Sequence, residues 1–368
     1  MTDVPLGVVA ALCEVIEPLA GEPRELADRH VDRVAPLATA DERAAVVSEA
    51  VARLVGLGSL ERYLRAGDVD EVMVNARGDL WIERGGRLRR ELVVGAEDLA
   101  TSIERILAPL GRRLDRTSPI VDARLADGSR VCAIVPPISP DGTVLTIRRF
   151  RRRHRPLSDF ADADVARLLD ELVVHRCNVI VSGATSSGKT SLLDSVLSRL
   201  DDTERVVLVE DTAELDPDVD NLVRLEARSA SSDGVRAVAL DELVRTALRL
   251  RPDRLIVGEA RGTEALALVQ ALNTGHDGSW STCHANSAED ALSRLESLLL
   301  QAAPSWPLAA IRRHMARSID VVVHTRRAAD GRRRVVEIAE VEPHDERPGV
   351  RHLVDHGIVV GPLHRTRA

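Results

Sequence analysis

The chain has 368 residues, 44% hydrophobic and 29% charged, with a formal net charge of -8. That length can support more than one core, and the acidic balance excludes a generally basic nucleic-acid-binding surface, leaving only local patches. Aromatics make up 2% of the chain, so the cores are left to Leu, Val, Ile and Ala. Cys13, Cys132, Cys177 and Cys283 are scattered, with no CxxC pair. That is the pattern of reduced thiols, not of a disulfide framework or a zinc site. The apolar start at 4–13 has no basic residue ahead of it and stops at Glu14, so it is not read as a signal peptide. No apolar run approaches the ~20 residues of a membrane span, and any membrane role is expected to pass through a partner.

Residues 1–58 read as a helical N-terminal extension. Within it, 42–57 places Ala44, Val47, Ala50, Val51 and Leu54 near helical spacing. Segments 69–75 and 80–83, joined through Gly78, predict a hairpin, and 96–110 predicts a helix. Strands are expected at 120–125, 130–135 and 143–147, separated by Asp127-Gly128 and Asp141-Gly142. Together 59–150 reads as a smaller α+β N-terminal domain. The arginine run 148–155, followed by Pro156, marks an interdomain linker assigned to 151–164. From 178 onward short apolar strands (178–182, 205–210, 255–257, 280–283) alternate with helices (189–200, 240–250, 264–272, 288–300). That alternation predicts an α/β sheet with helices on its faces. The domain is placed at 165–345, with a C-terminal tail at 346–368.

Gly183, Ala184, Thr185, Ser186, Ser187, Gly188, Lys189 and Thr190 fit G-x-x-x-x-G-K-[ST] in full. An apolar strand precedes them and a helix opening at Ser191 follows, which is the context this phosphate cradle needs. Backbone N–H groups at a helix N-terminus converge on phosphate oxygens. The only lysine in the chain, Lys189, brings a point charge to the β- and γ-phosphates, and the Thr190 hydroxyl can ligate Mg²⁺. ATP with Mg²⁺ is therefore the expected ligand. Hydrolysis also needs a group that positions water. Glu259 closes the apolar strand 254–258 and is the candidate, while Glu210, Asp211 and Glu214 close the strand at 205–209. His284 follows the strand at 280–282 and can sense a γ-phosphate by hydrogen bonding.

In chain order these stretches resemble the secretion ATPase superfamily of type II secretion, type IV secretion and type IV pili, most of all the CpaF/TadA branch of tight-adherence pilus motors. The resemblance rests on 119–130, 182–191, 210–215, 243–254, 257–261, 272–278 and 284–286, and runs from about residue 60 to 342. It implies a RecA-like P-loop core, a hexameric ring of two-domain subunits with ATP between the domains, and a motor for pilus assembly or protein secretion. The expected partner is an inner-membrane platform protein, with the chain at the cytoplasmic face of that membrane and no direct nucleic-acid contact. Glu210, Asp211 and Glu214 match the family's acidic box, Glu259 its Walker B glutamate, and His284 its histidine box; Arg261 falls in a matching stretch and joins the nucleotide-binding set. Gly258 stands where many other P-loop ATPases carry Asp, which leaves Mg²⁺ to Thr190 and Glu210. Arg124, Arg130 and Arg148 fall on the family's arginine-bearing stretches, and which of them reach phosphate is left open. Two rival readings stand beside this one. A conjugation-type, nucleic-acid-translocating motor draws on the basic run 148–155 but lacks stacking aromatics beyond Phe150. A non-hydrolysing scaffold is opposed by Lys189, Thr190 and Glu259.

Overall fold

The computed structural model describes residues 6–125, 127–150, 155–228, 236–328, 330–343 and 348–367. The chain divides into two compact units, Met1–Arg151 and Arg152–Ala368.

The first unit begins with helices α1 (Leu6–Ile16), α2 (Pro23–Val34) and α3 (Ala40–Val55). Their apolar stripes close on one another around Val9, Leu12, Leu26, Val31, Val47 and Ala50. Helix α3 starts on a reciprocal capping box, with the Thr39 hydroxyl on the Glu42 N–H and the Glu42 carboxylate on the Thr39 N–H. Its C-terminal carbonyls are taken up by Arg105, which donates to the oxygens of Arg53, Leu54 and Gly56 at 2.7–2.8 Å. This bond set joins the helices to the sheet that follows, so 1–58 belongs to the first unit and is no detached extension.

That sheet is built from β1 (Glu71–Val74), β2 (Asp79–Arg84), β3 (Arg87–Val93), β4 (Ile120–Arg124), β5 (Arg130–Ile134) and β6 (Val144–Arg148), with α4 (Glu61–Arg65) before it and α5 (Ala96–Leu107) inserted after β3. The strand order is β3-β2-β1-β6-β5-β4, antiparallel throughout. Alternate residues such as Val72, Leu80, Val131, Leu145 and Ile147 turn inward onto Tyr63, Leu99 and Ile103, the one-sided burial usual for antiparallel sheets.

The second unit has α6 (Ala163–Val174), β7 (Val179–Gly183), α7 (Lys189–Leu197), β8 (Val206–Glu210), β9 (Leu222–Glu226), α8 (Leu240–Ala247), β10 (Arg254–Val257), α9 (Glu264–Leu272), β11 (Trp280–His284), α10 (Ala288–Ala302), α11 (Leu308–Ser318), β12 (Val321–Arg327), β13 (Arg333–Glu342), β14 (Gly349–Asp355) and β15 (Ile358–Val359). Its sheet runs β15-β14-β13-β12-β7-β11-β10-β8-β9. The stretch from β12 to β9 is parallel, and β13 to β15 add antiparallel strands at one side. The central strands are buried along their length because both faces are covered; β8 and β10 are largely apolar, while β11 buries Ser281 and Thr282. Val179, Val181, Leu208 and Ile256 pack with α6 and α7 on one side, while Ile180, Val207, Val257 and Val322 pack with α8 to α11 on the other.

Two expected boundaries are corrected here. Residues 151–154 of the expected linker lie outside the described residues, but the remainder is folded: Leu157 and Phe160 are buried in the second core, and the Ser195 hydroxyl bonds the Arg155 carbonyl. The expected tail at 346–368 forms β14 and β15. It then binds back through Arg367, which contacts Asp320 at 2.6 Å and Asp277 at 2.7 Å. Among the described residues the buried Asp320 carboxylate takes its cations from Arg365 and Arg367, which offsets the cost of burying it.

Candidate functional site

The β7 strand ends where α7 begins, and the loop between them bends through backbone angles that explain its glycines. Gly183 has φ +156° and Gly188 φ +98°. A Cβ on Gly183 would lie 2.3 Å from Ser187 Oγ and 2.6 Å from the Thr325 carbonyl, and one on Gly188 would meet the Arg333 side chain at 2.7 Å. Ser186 also sits at positive φ, +61°. Ala184, Thr185 and Ser186 are exposed, Thr190 and Ser191 half-buried, and Ser187 and Lys189 buried. The first N–H groups of α7 have no acceptor within the helix, so they are directed at the loop's hollow.

Parallel pairing brings the other candidates to the same sheet edge. Strands β7, β11, β10 and β8 are consecutive neighbours, and their C-terminal ends carry Gly183, His284, Gly258-Glu259 and Glu210. His284 lies directly opposite Gly183 in the ladder. At about 4.8 Å per strand, the backbones of the cradle and of Glu210 are three strand steps, about 14 Å, apart.

The side chains meet in one connected array. Lys189 Nζ donates to the carbonyls of Gly183 (3.0 Å) and Ala184 (3.1 Å) and lies 3.4 Å from His284 Nδ1. An ammonium can only donate, so Nδ1 accepts, and His284 is assigned the tautomer with its proton on Nε2. That nitrogen faces Glu259 Oε1 at 3.1 Å, and Arg261 faces Glu259 Oε2 at 3.0 Å. Burial and the Lys189 charge hold the His284 pKa below its usual value, against the pull of Glu259, which fits the neutral tautomer. Burial likewise lowers the Lys189 pKa, with the Glu259 and Glu214 carboxylates opposing.

Glu210 is buried, and its Oε1 accepts the N–H groups of Glu214 (2.9 Å) and Leu215 (3.0 Å). This carboxylate thereby shapes the acidic loop. Asp211 and Glu214 themselves are exposed. A Cβ on Gly258 would lie 2.8 Å from Glu210 Cγ, so the missing side chain at 258 is filled by Glu210 from the adjacent strand. Among the described residues no group of three or more His, Cys, Asp or Glu forms a metal site. A nucleotide-borne Mg²⁺ requires none, since it keeps waters and phosphate oxygens and takes one or two protein oxygens. The Thr190 hydroxyl and the Glu210 carboxylate fit that donor set.

The arginines of the first unit also assemble. Arg124 pairs with Arg130, Arg130 with Arg148, and Arg148 with Glu71, in one row across β4, β5, β6 and β1. Directly paired residues share a sheet face, and like charges placed opposite one another are destabilising without a counter-ion. Burial raises the Glu71 pKa while Arg148 opposes the rise.

Two contributors escape a sequence reading. Glu264 is buried and caps the loop after Glu259 through the N–H groups of Arg261 and Gly262, both at 2.6 Å; its signal is an acid in the first turn of α9. Thr325, on β12, contacts the cradle from 138 residues beyond Ser187, and no local motif announces it.

Residues 53–352 match the family described as Type II/IV secretion system protein. A Mycobacterium tuberculosis protein named for conjugal transfer is 38% identical over 299 residues, covering 78% of this chain and 84% of that one. The type IV secretion system protein PtlH of Bordetella pertussis is 37% identical over 319 residues, covering 77% and 93%. The solved structure of the pilus retraction motor PilT with bound ADP has a TM-score of 0.55 at 17% identity, over 76% of this chain and 82% of that one. This is a likeness of fold, a RecA-like P-loop domain preceded by a smaller domain.

Proposed function

Because this chain belongs to the type II/IV secretion system protein family, we propose that it is an ATP-hydrolysing motor that powers a secretion or type IV pilus apparatus. One observation carries this reading: the cradle at 183–190, His284, Glu259 and Glu210 stand on the ends of four adjacent parallel strands, which is where α/β sheets bind ligands. Lys189, Thr190 and the loop N–H groups hold the phosphates. Glu259 orients and deprotonates the attacking water, with His284 and Arg261 holding its two oxygens. Thr190 and Glu210 are the residues that would hold a nucleotide-borne Mg²⁺, which would supply charge neutralisation on the phosphates. Arg124, Arg130 and Arg148 are the candidates for an arginine that stabilises the charge developing on the transferred phosphoryl group, as the motif resemblance implies. The subunits act as a homohexameric ring at the cytoplasmic face of the inner membrane, through an embedded platform protein; no helix among the described residues is long and apolar enough to cross a membrane. The narrower assignment to tight-adherence pili rests on the motif resemblance.

A conjugation-type motor is the second reading, favoured by the 38% identical relative named for conjugal transfer. Phosphate release by the purified chain, with Lys189→Ala as control, tests the activity; equal turnover by that variant would refute it. Stimulation by DNA would move the assignment to the conjugation reading. A native mass that fails to reach six subunits with a non-hydrolysable ATP analogue would remove the ring.

A further inference from the structure

The floor of the phosphate cradle is not closed by the loop itself. Ser187, the last variable residue before Gly188, is 1% exposed, and its hydroxyl lies 3.0 Å from that of Thr325, also 1% exposed. Thr325 Oγ1 in turn donates to the Ser182 carbonyl at 3.2 Å. A hydroxyl has one proton and a carbonyl can only accept, so both bonds coexist only if Ser187 donates to Thr325. The direction of the chain is thereby set: Ser187, then Thr325, then the end of β7.

The surrounding backbone is built for this contact. Thr325 lies opposite Gly183 in the β12–β7 ladder. Its carbonyl and hydroxyl would stand 2.6 and 2.7 Å from a Cβ at 183, so the first glycine of the motif makes the room that Thr325 occupies. The β12–β13 pairing shifts register between His324 and Thr325, and such bulges re-aim side chains next to functional sites. Behind it, His324 Nδ1 meets the Ser182 hydroxyl at 2.9 Å. Two successive β12 residues therefore contact the strand end and the loop it feeds, and being buried, each polar group there must be satisfied.

We propose that Thr325 is a positioning residue for nucleotide: its buried hydroxyl fixes Ser187, and through Ser187 the loop conformation that presents the N–H groups of the cradle to phosphate. This rests on the ATP-binding reading above. Thr325→Val keeps the volume and removes the acceptor, leaving Ser187 without its partner. The loop then populates other conformations, and the affinity falls by the fraction that remains competent.

The test uses the full chain, with equilibrium MgATP and MgADP binding, KM, kcat and melting temperature measured in parallel. Thr325→Val should raise Kd and KM about tenfold, equivalent to about 1.4 kcal/mol, with a smaller change in kcat. Thr325→Ser, which retains the hydroxyl, should restore both. Ser187→Ala cuts the same bond from the other end and carries the test if the valine variant fails to fold. The double variant should be no worse than the weaker single one. Unchanged KM in Thr325→Val or Ser187→Ala, a fall in melting temperature alone, or additive effects in the double variant would overturn the proposal. Failure of the unmodified chain to bind ATP would instead refute the functional reading itself.

Discussion

Replacing Glu259 with Gln isolates one carboxylate whose surroundings are fully defined. Its Oε1 faces His284 Nε2 at 3.1 Å and its Oε2 faces Arg261 at 3.0 Å. Both partners are donors, so the carboxylate accepts on both sides. Glutamine keeps the shape but offers one oxygen and one NH₂, which leaves one donor facing another donor. It also cannot take a proton from water. General-base catalysis is worth typically ~10²–10⁴-fold, about 3–5 kcal/mol at about 1.4 kcal/mol per decade. Turnover should therefore fall by ~10²-fold or more. ATP affinity should hold or rise, because one of the negative charges near Lys189 is removed from the phosphate site. Single-turnover phosphate release alongside equilibrium nucleotide binding separates the two effects. Turnover within roughly threefold of the unmodified chain would refute the assignment and pass the role to Glu214, the other carboxylate whose charge acts on Lys189.

Three further outcomes are expected. Alanine at Arg124, Arg130 or Arg148, one at a time, should lower kcat far more than ATP affinity, by up to ~10³-fold if that arginine meets the transferring phosphoryl group; unchanged kcat in all three would remove the first unit from catalysis. Arg367→Ala leaves Asp320, which is 2% exposed, with Arg365 at 3.2 Å as its remaining cation, and should destabilise the chain by about 3 kcal/mol, read from urea midpoints; an unchanged midpoint would show that the C-terminal strap is decorative. Burial holds the His324 pKa below its ordinary value, against the pull of Glu337. The unfolded chain therefore binds the extra proton more readily, and the stability from this site is complete above about pH 6.5 and is lost as pH falls through the folded value. Melting temperature should drop between about pH 7.5 and pH 5.5, less so in His324→Asn, and equal drops would contradict the argument.

The sequence by itself determined what is local. A glycine motif between an apolar strand and a helix encodes its own turn, and the strands leading to Glu210 and Glu259 are legible because apolar runs covered on both faces have few alternatives. Tertiary structure decided what depends on pairing. Strand order, which no residue specifies alone, makes β7, β11, β10 and β8 neighbours and so turns four separate sequence marks into one edge. Register aligns Arg124, Arg130 and Arg148 in a single row, although the sequence separates them by loops. The filling of the gap at Gly258 by Glu210, the seat of Thr325 beneath the cradle and the return of Arg367 to Asp320 join residues tens to more than a hundred positions apart. Each is a buried polar or steric requirement met from another strand or from the chain end, and such requirements leave no periodic signal in the segment that meets them.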